Sequence, residues 1–425
     1  REALSLPHLA AIIPTLTVLV GQRLGGRNVQ TGHPVLQRTE VAPFDGGSDD
    51  RLLDQLPLDS PVQIYTDSTR YYPYHSAASH SLGYVVFSEV DDGIEKLAGQ
   101  NLKTFRLKGK QGKTGLELSF NDSLDGTPGG EIWRVDPMGF QFELEEKQLP
   151  AFGRSIQSSL DIDLQMLAEK QIEGKKAAVV VLDIQTGEVL TLASKPDYNL
   201  NDFSPYISYK VYRRIESQGG WLPRATQGLY PPGSTFKILT AIAGMRQNVI
   251  YDGAVYQCKG QEYIGTRPYP CHNRRGHLDI KIQRALALSC NTYFYHFGVK
   301  TGIDHLAKEA RRFGFHERTG IQLPHETNRM LIPDKKWKRE RFGEGWASGH
   351  TANVAIGQGD ILVTPLQMAC FTASVARREI LLLEPFARDE PVVFADREDG
   401  LWSVFGLFVD DRTRMLWAAS GTVPQ

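Results

Sequence analysis

Apolar and polar positions change rhythm along the chain. Up to about residue 150, apolar positions come in short alternating runs, such as Val62-Gln63-Ile64-Tyr65 and Gly83-Tyr84-Val85-Val86-Phe87. These runs sit in sequence rich in Gly, Pro, Asp and Ser. A period of two predicts short strands in irregular β structure. The pattern shifts between Pro150 and Ser158. Asp161–Glu169 then reads as a helix capped by Asp161, with Leu164, Leu167 and Ala168 on one face. Ala177–Ala193 reads as two strands around a Gln185-Thr186-Gly187 turn. Helical stretches follow, including Ser234–Met245 and Ile282–Ala287. A hairpin followed by a helical block, without βαβ alternation, predicts an α+β fold: an antiparallel sheet flanked by helices. Two domains are expected, 1–152 and 153–425.

Composition adds mainly exclusions. The chain of 425 residues is 41% hydrophobic and 23% charged with net charge -1, which is ordinary globular composition. That balance lacks the basic excess of a nucleic-acid binder, and no nucleic-acid partner is expected. The tract Lys335-Lys336-Trp337-Lys338-Arg339 reads as a solvated face. The apolar run Leu9–Val20 is too short to span a bilayer, contains Pro14, and reads as a buried helix or strand.

The candidate chemistry begins at Tyr230-Pro231-Pro232-Gly233-Ser234-Thr235-Phe236-Lys237. Here a Pro/Gly loop runs into an apolar helix. A serine in the first helical turn feels the positive end of the helix dipole. Lys237, three residues on, shares its face. A partly desolvated lysine loses its proton near neutral pH, and can take the serine's as the hydroxyl attacks a carbonyl. Alone, Ser-x-x-Lys reads as an N-cap and a surface lysine. Ser289-Cys290-Asn291 changes the weighing. It adds a second hydroxyl and a side-chain amide two positions apart, which in extended backbone point the same way.

Ser-x-x-Lys with Ser-x-Asn is part of the signature of β-lactamases and penicillin-binding proteins. The stretch Arg224–Lys237 resembles the active-site block of class B penicillin-binding proteins, in particular the elongation type, penicillin-binding protein 2. Arg70-Tyr71-Tyr72-Pro73-Tyr74, Leu82-Gly83-Tyr84-Val85 and Gly112–Glu117 resemble that family's N-terminal pedestal. Gly357-Gln358-Gly359 and Thr364-Pro365-Leu366-Gln367-Met368 resemble its catalytic domain. The likeness covers most of the chain from about Arg70 onward.

The resemblance implies a penicillin-binding/serine β-lactamase-like transpeptidase domain behind an elongated pedestal. It implies a peptidoglycan D,D-transpeptidase of cell elongation that is a target of β-lactams. Ser234 would be the acylated nucleophile and Lys237 its base. Ser289 would be the proton shuttle, and Asn291 the grip on the donor peptide. The family's third element, Lys-(Ser/Thr)-Gly-Thr, is best matched by Ser420-Gly421-Thr422, although Ala419 stands where the family has lysine. Lys113-Thr114-Gly115 is rejected for that role because it precedes the nucleophile and fits a pedestal motif. In this reading Ser420 and Thr422 bind the substrate carboxylate, and Ser234 and Thr422 N–H groups form the oxyanion hole.

The same resemblance implies a place on the periplasmic face of the bacterial inner membrane. A single N-terminal anchor is expected ahead of Arg1, and a truncation after Gln425. Its partners would be peptidoglycan stem peptides, a membrane-embedded glycan polymerase and an elongation-machinery scaffold. The rival readings are a non-catalytic penicillin-binding scaffold or β-lactam sensor, suggested by Ala419, and a β-lactamase, which the long N-terminal region disfavours.

Cys258, Cys271, His277 and Cys290 follow Cys-x12-Cys-x5-His-x12-Cys. Three thiolates and an imidazole make a complete, closed, structural zinc shell. A Cys258–Cys271 disulfide with Cys290 buried is the competing reading, and His272 is an alternative ligand. If Ser289 and Asn291 face substrate, Cys290 faces inward, and a metal there pins the catalytic loop. Some elongation-type members place metal ligands around this loop. No organic cofactor is expected. Cys370 reads as core, Tyr71, Tyr72 and Tyr74 as pedestal packing, and Trp346 equally as cleft or core.

Overall fold

A computed structural model describes residues 11–20, 62–90, 107–126, 130–135, 141–149, 151, 153–204, 206–251, 253–376, 404–410 and 415–421. Of the strands beyond residue 400, only the backbone is described.

The alternating N-terminal runs form antiparallel ribbons. Ala11–Val20 pairs with Val62–Tyr71, Val85–Val90 with Leu107–Gly112, and Gly130–Val135 with Gln141–Gln148. The run holding Pro14 is thus a strand. Arg70, Tyr72 and Glu117 tie this region together. The Arg70 Nε donates to Glu117 Oε1 at 3.0 Å, and the Tyr72 hydroxyl donates to the same carboxylate at 3.2 Å. Tyr72 is buried, whereas Tyr71 and Tyr74 stay about a third exposed. At Gly83 the backbone has φ +76° and runs against the Thr114 carbonyl, so no side chain fits there.

The main sheet is antiparallel, as the hairpin predicts. β1 (Ala177–Leu182) pairs with β2 (Val189–Lys195), with Val180 opposite Leu192. β3 (Val404–Asp410) joins the other side of β1, and β4 (Met415–Gly421) forms the outer edge. Ala178, Val180, Leu192, Tyr198 and Phe203 pack one core with Leu366 and Ala369. A second core gathers Phe236, Leu239, Ala243, Leu306, Phe315, Val354 and Phe371 between helices.

The helix expected after Asp161 spans Ile162–Gln171, and Asp161 Oδ1 accepts from Leu164 N at 3.0 Å. Its buried face differs from the expectation. Leu164 and Leu167 are exposed, while Gln165 and Glu169 are buried. The reason is hydrogen bonding: Gln165 accepts from Leu192 N at 2.8 Å, and Glu169 accepts from Ala78 N at 2.8 Å. Two orphan backbone donors select polar side chains for the inner face.

Candidate active site

A 3₁₀ turn, Gly233–Phe236, leads directly into helix α1 (Lys237–Arg246). Gly233 has φ +60°, and its N–H donates to Gly357 O at 2.8 Å. Gly357 itself has φ +68°, and a methyl there would overlap the Gly233 carbonyl. Two glycines thus let the 357 loop lie against the turn. Ser234 stands exposed at this turn, one helical turn before Lys237, which is 1% exposed.

Lys237 spends all three ammonium protons on one loop. Its Nζ donates to Ser289 O at 2.8 Å, Ser289 Oγ at 2.9 Å and Asn291 Oδ1 at 2.6 Å. Burial pulls its pKa down from 10.5 to about 8, against an upward pull from the Cys290 and Cys271 thiols. A lysine poised there carries a usable fraction of free amine near neutral pH.

Ser289 and Asn291 do converge, but not through extended backbone. Ser289 has φ +49°, in the left-handed region, and Asn291 opens helix α2 (Asn291–Thr301) behind Cys290. A left-handed serine costs on the order of 1–2 kcal/mol. Here the kink turns its hydroxyl and carbonyl together onto Lys237, which offsets that cost.

Cys290 points inward, into a lobe of short strands where Tyr256–Cys258 pairs with Leu278–Ile280 and Gln261–Ile264 with Arg267–Pro270. Cys258, Cys271, His277 and Cys290 bring their ligand atoms within 4.8 Å of one another, a cluster that could hold a metal ion. The His277 Nδ1 lies 3.5 Å from Cys258 Sγ and 3.6 Å from Cys271 Sγ, and Cys271 and Cys290 sulfurs are 3.9 Å apart. All four cysteines are free, so no disulfide joins Cys258 to Cys271. His272, the alternative ligand, lies 3.9 Å from Cys271 Sγ, with its ring centroid 5.1 Å from that of His277. The Thr292 hydroxyl donates to Cys258 Sγ at 3.0 Å, tying α2 to the cluster.

Strand β4, with Ser420 and Gly421 opposite Phe405 and Val404, runs alongside the Ser234 turn as the sheet's edge. Thr422 lies outside the described residues. Sequence reasoning missed the Gly357–Gly233 contact, although the Gly-Gln-Gly motif was its visible signal. Trp346 packs half-buried on the helical core and donates to Thr351 Oγ1 at 2.8 Å. Cys370 is half-buried against the other core.

β-Lactamases and penicillin-binding proteins share this pairing of a Ser-x-x-Lys turn with a Ser-x-Asn loop, so the sheet and the turn place the chain in that class. Comparison narrows it. Residues 177–386 match the penicillin binding protein transpeptidase domain, and residues 51–158 the penicillin-binding protein dimerisation domain. The chain belongs to the elongation-type class B penicillin-binding proteins.

It is 35% identical over 325 residues to the peptidoglycan D,D-transpeptidase MrdA of Acinetobacter baumannii, covering 74% of this chain and 47% of that protein. Among solved structures it resembles the penicillin-binding protein PBP2 of Helicobacter pylori, with TM-score 0.68 and 30% identity over 87% of this chain and 74% of that one. The complex of that protein with MreC matches with TM-score 0.70 and 29% identity, over 87% of this chain and 73% of that one. The chain spans about half the length of the curated relatives it matches.

Proposed function

We propose that this chain is a serine D-Ala-D-Ala transpeptidase that cross-links peptidoglycan stem peptides during cell elongation and is acylated by β-lactams. The observation that carries the reading is the buried Lys237, held by Ser289 and Asn291 one turn from an exposed Ser234.

Ser234 Oγ adds to the carbonyl carbon of the penultimate D-alanine and gives its proton to the free amine of Lys237. The proton taken by Lys237 is relayed through Ser289 Oγ to the nitrogen of the terminal D-alanine, the C–N bond breaks, and that amino acid leaves as the amine. The acyl ester on Ser234 is then attacked by an amine of a neighbouring stem peptide. The new amide forms, and Ser234 recovers its proton. Asn291 holds the donor peptide. Ser420, Gly421 and Thr422 are read as the carboxylate-binding strand, with Ser234 and Thr422 N–H groups as the oxyanion hole. An edge strand suits that task because its outer N–H groups are unpaired, and loss of one such donor costs ~3–4 kcal/mol.

The Cys258, Cys271, His277 and Cys290 cluster is read as a structural zinc site. A tetrahedral ion with bonds of about 2.3 Å to sulfur and about 2.0–2.1 Å to nitrogen would set S···S near 3.8 Å and S···N near 3.5–3.6 Å. Three of the six ligand-atom separations, at 3.9, 3.5 and 3.6 Å, fit that shell, and all six lie within 4.8 Å. Four protein ligands would leave no open position, so an ion held there would supply rigidity and no reactive site. The chain's own residues then fix the kinked Ser289-Cys290-Asn291 loop.

Residues 1–152 are read as the pedestal and 153–425 as the transpeptidase domain. The relatives' names as peptidoglycan transpeptidases support a periplasmic setting; the inner-membrane face and a single N-terminal anchor are read from the family resemblance alone. The complex of the Helicobacter pylori protein with MreC supports a partner resembling MreC, and a membrane-embedded glycan polymerase is read from the family resemblance. A fluorescent penicillin with intact mass spectrometry tests the reading. One adduct is expected on Ser234, lost in Ser234→Ala. Unlabelled native protein, or label surviving the substitution, refutes it. Turnover of pentapeptide strands separates a transpeptidase from a sensor.

A further inference from the structure

The metal lobe carries charge that the mechanism does not use. Between residues 259 and 284 the chain has six cationic side chains, Lys259, Arg267, Arg274, Arg275, Lys281 and Arg284, against the acids Glu262 and Asp279. All six cations are exposed, and among the described residues none makes an ion pair. Glu262 is engaged elsewhere: one carboxylate oxygen faces His296 Nδ1 at 2.8 Å, and the other accepts from the Tyr256 hydroxyl at 2.8 Å. In a chain of net charge -1 this is a local excess of positive charge.

The excess is held in place by the fold. Gly260 and Gly276 have φ +87° and +83°, and their backbones press against Arg274 O and Cys258 O. Lys259 therefore lies beside Arg274 and Arg275 at the rim of the Cys/His cluster. Cys271 N donates to Gly260 O, and His277 N to Cys258 O, closing that rim. Lys281 caps the helix Ile282–Ala287, and Arg284 lies one turn along it. That helix ends at Leu288, next to Ser289, so this cationic surface is continuous in chain with the loop that holds Lys237.

We propose that this face binds the carboxylates of peptides carried on the glycan strand, guiding an anionic polymer toward the cleft. The inference rests on the transpeptidase reading and adds to it how a strand, as opposed to a small ligand, is recruited. Unpaired cations on a rigid surface raise the local concentration and on-rate of an anionic partner, and salt screens the effect over about 8 Å at physiological ionic strength. The lobe's place beside Ser289 favours the substrate strand over an anionic lipid surface. A small β-lactam carries a single carboxylate, so these charges act on it far more weakly than on a polymer bearing many.

The test uses the whole chain and two independent charge reversals, Lys259→Glu/Arg274→Glu/Arg275→Glu and Lys281→Glu/Arg284→Glu. Binding of soluble, uncross-linked pentapeptide glycan strands is measured from low to high salt, alongside the rate of penicillin acylation and binding to phosphatidylglycerol vesicles. Strand binding should fall on the order of tenfold at low salt in each variant and lose most of its salt dependence. The penicillin rate should stay within about twofold, which also certifies folding. Strand binding that survives both reversals overturns the inference, and so does a loss confined to vesicle binding. Native protein that takes no penicillin overturns the transpeptidase reading instead.

Discussion

If Ser234 is acylated as proposed, Asn291→Ala should lower, not raise, the pH at which acylation sets in. Asn291 Oδ1 accepts from Lys237 Nζ at 2.6 Å, the shortest of that lysine's three hydrogen bonds. The drop of Lys237 from 10.5 to about 8 already amounts to roughly 3 kcal/mol against the ammonium. An amide acceptor of a charged donor contributes about 1.5–3 kcal/mol to the charged form. Its removal should therefore lower the lysine pKa by a further ~1–2, toward 6–7. In the proposed mechanism the base is the free amine, so acylation should rise with pH through the lysine pKa. In the native protein, acylation should climb about tenfold from pH 7 to 9 as the amine fraction rises from roughly a tenth to nine tenths. In the variant most of that climb should occur below pH 7, with a lower plateau if Asn291 also contacts the amide side chain of the penicillin, as the proposed role requires. Stopped-flow acylation by a fluorescent penicillin between pH 5.5 and 9.5 measures both features. A midpoint that stays put or moves upward in Asn291→Ala would sink the claim that this hydrogen bond supports the ammonium.

Other consequences are equally open to measurement. Gly357→Ala should cut acylation at least a hundredfold with folding retained by circular dichroism, because its methyl displaces the Gly233 carbonyl and with it Ser234. Cys271→Ser, or treatment with a strong chelator, should remove one equivalent of zinc, read by elemental analysis. The melting temperature should drop by several degrees, and acylation slow as the Ser289 loop loosens. Zinc-free native protein with unchanged stability would contradict that. Glu169→Ala should cost about 1–3 kcal/mol in urea unfolding by leaving Ala78 N and Gln165 without their acceptor.

Some of this was legible in the chain alone. The Asp161 cap, the β1–β2 hairpin and the helix Ile282–Ala287 follow from local signals: a side-chain acceptor before a helix, a Gly turn between apolar strands, and apolar spacing. The Ser234–Lys237 spacing and the four metal-type residues were equally readable, because residue type and sequence separation fix what a turn or a shell can offer. The inner face of Ile162–Gln171 was not. Apolarity nominated Leu164 and Leu167, but the unpaired backbone donors of Ala78 and Leu192 come from distant segments and claimed Glu169 and Gln165 instead.

The sequence by itself determined the local pieces, which depend on neighbours a few residues away: caps, strand alternation, the serine and lysine on one helical face. Only the tertiary structure decided that Lys237 is buried, that Ser289 turns left-handed, and that Gly357 closes on Gly233. Each of these is a contact between segments fifty or more residues apart in the chain. Desolvation, backbone kinks and close glycine approaches depend on what the rest of the fold brings up against a residue. No local pattern of apolar and polar positions carries that information.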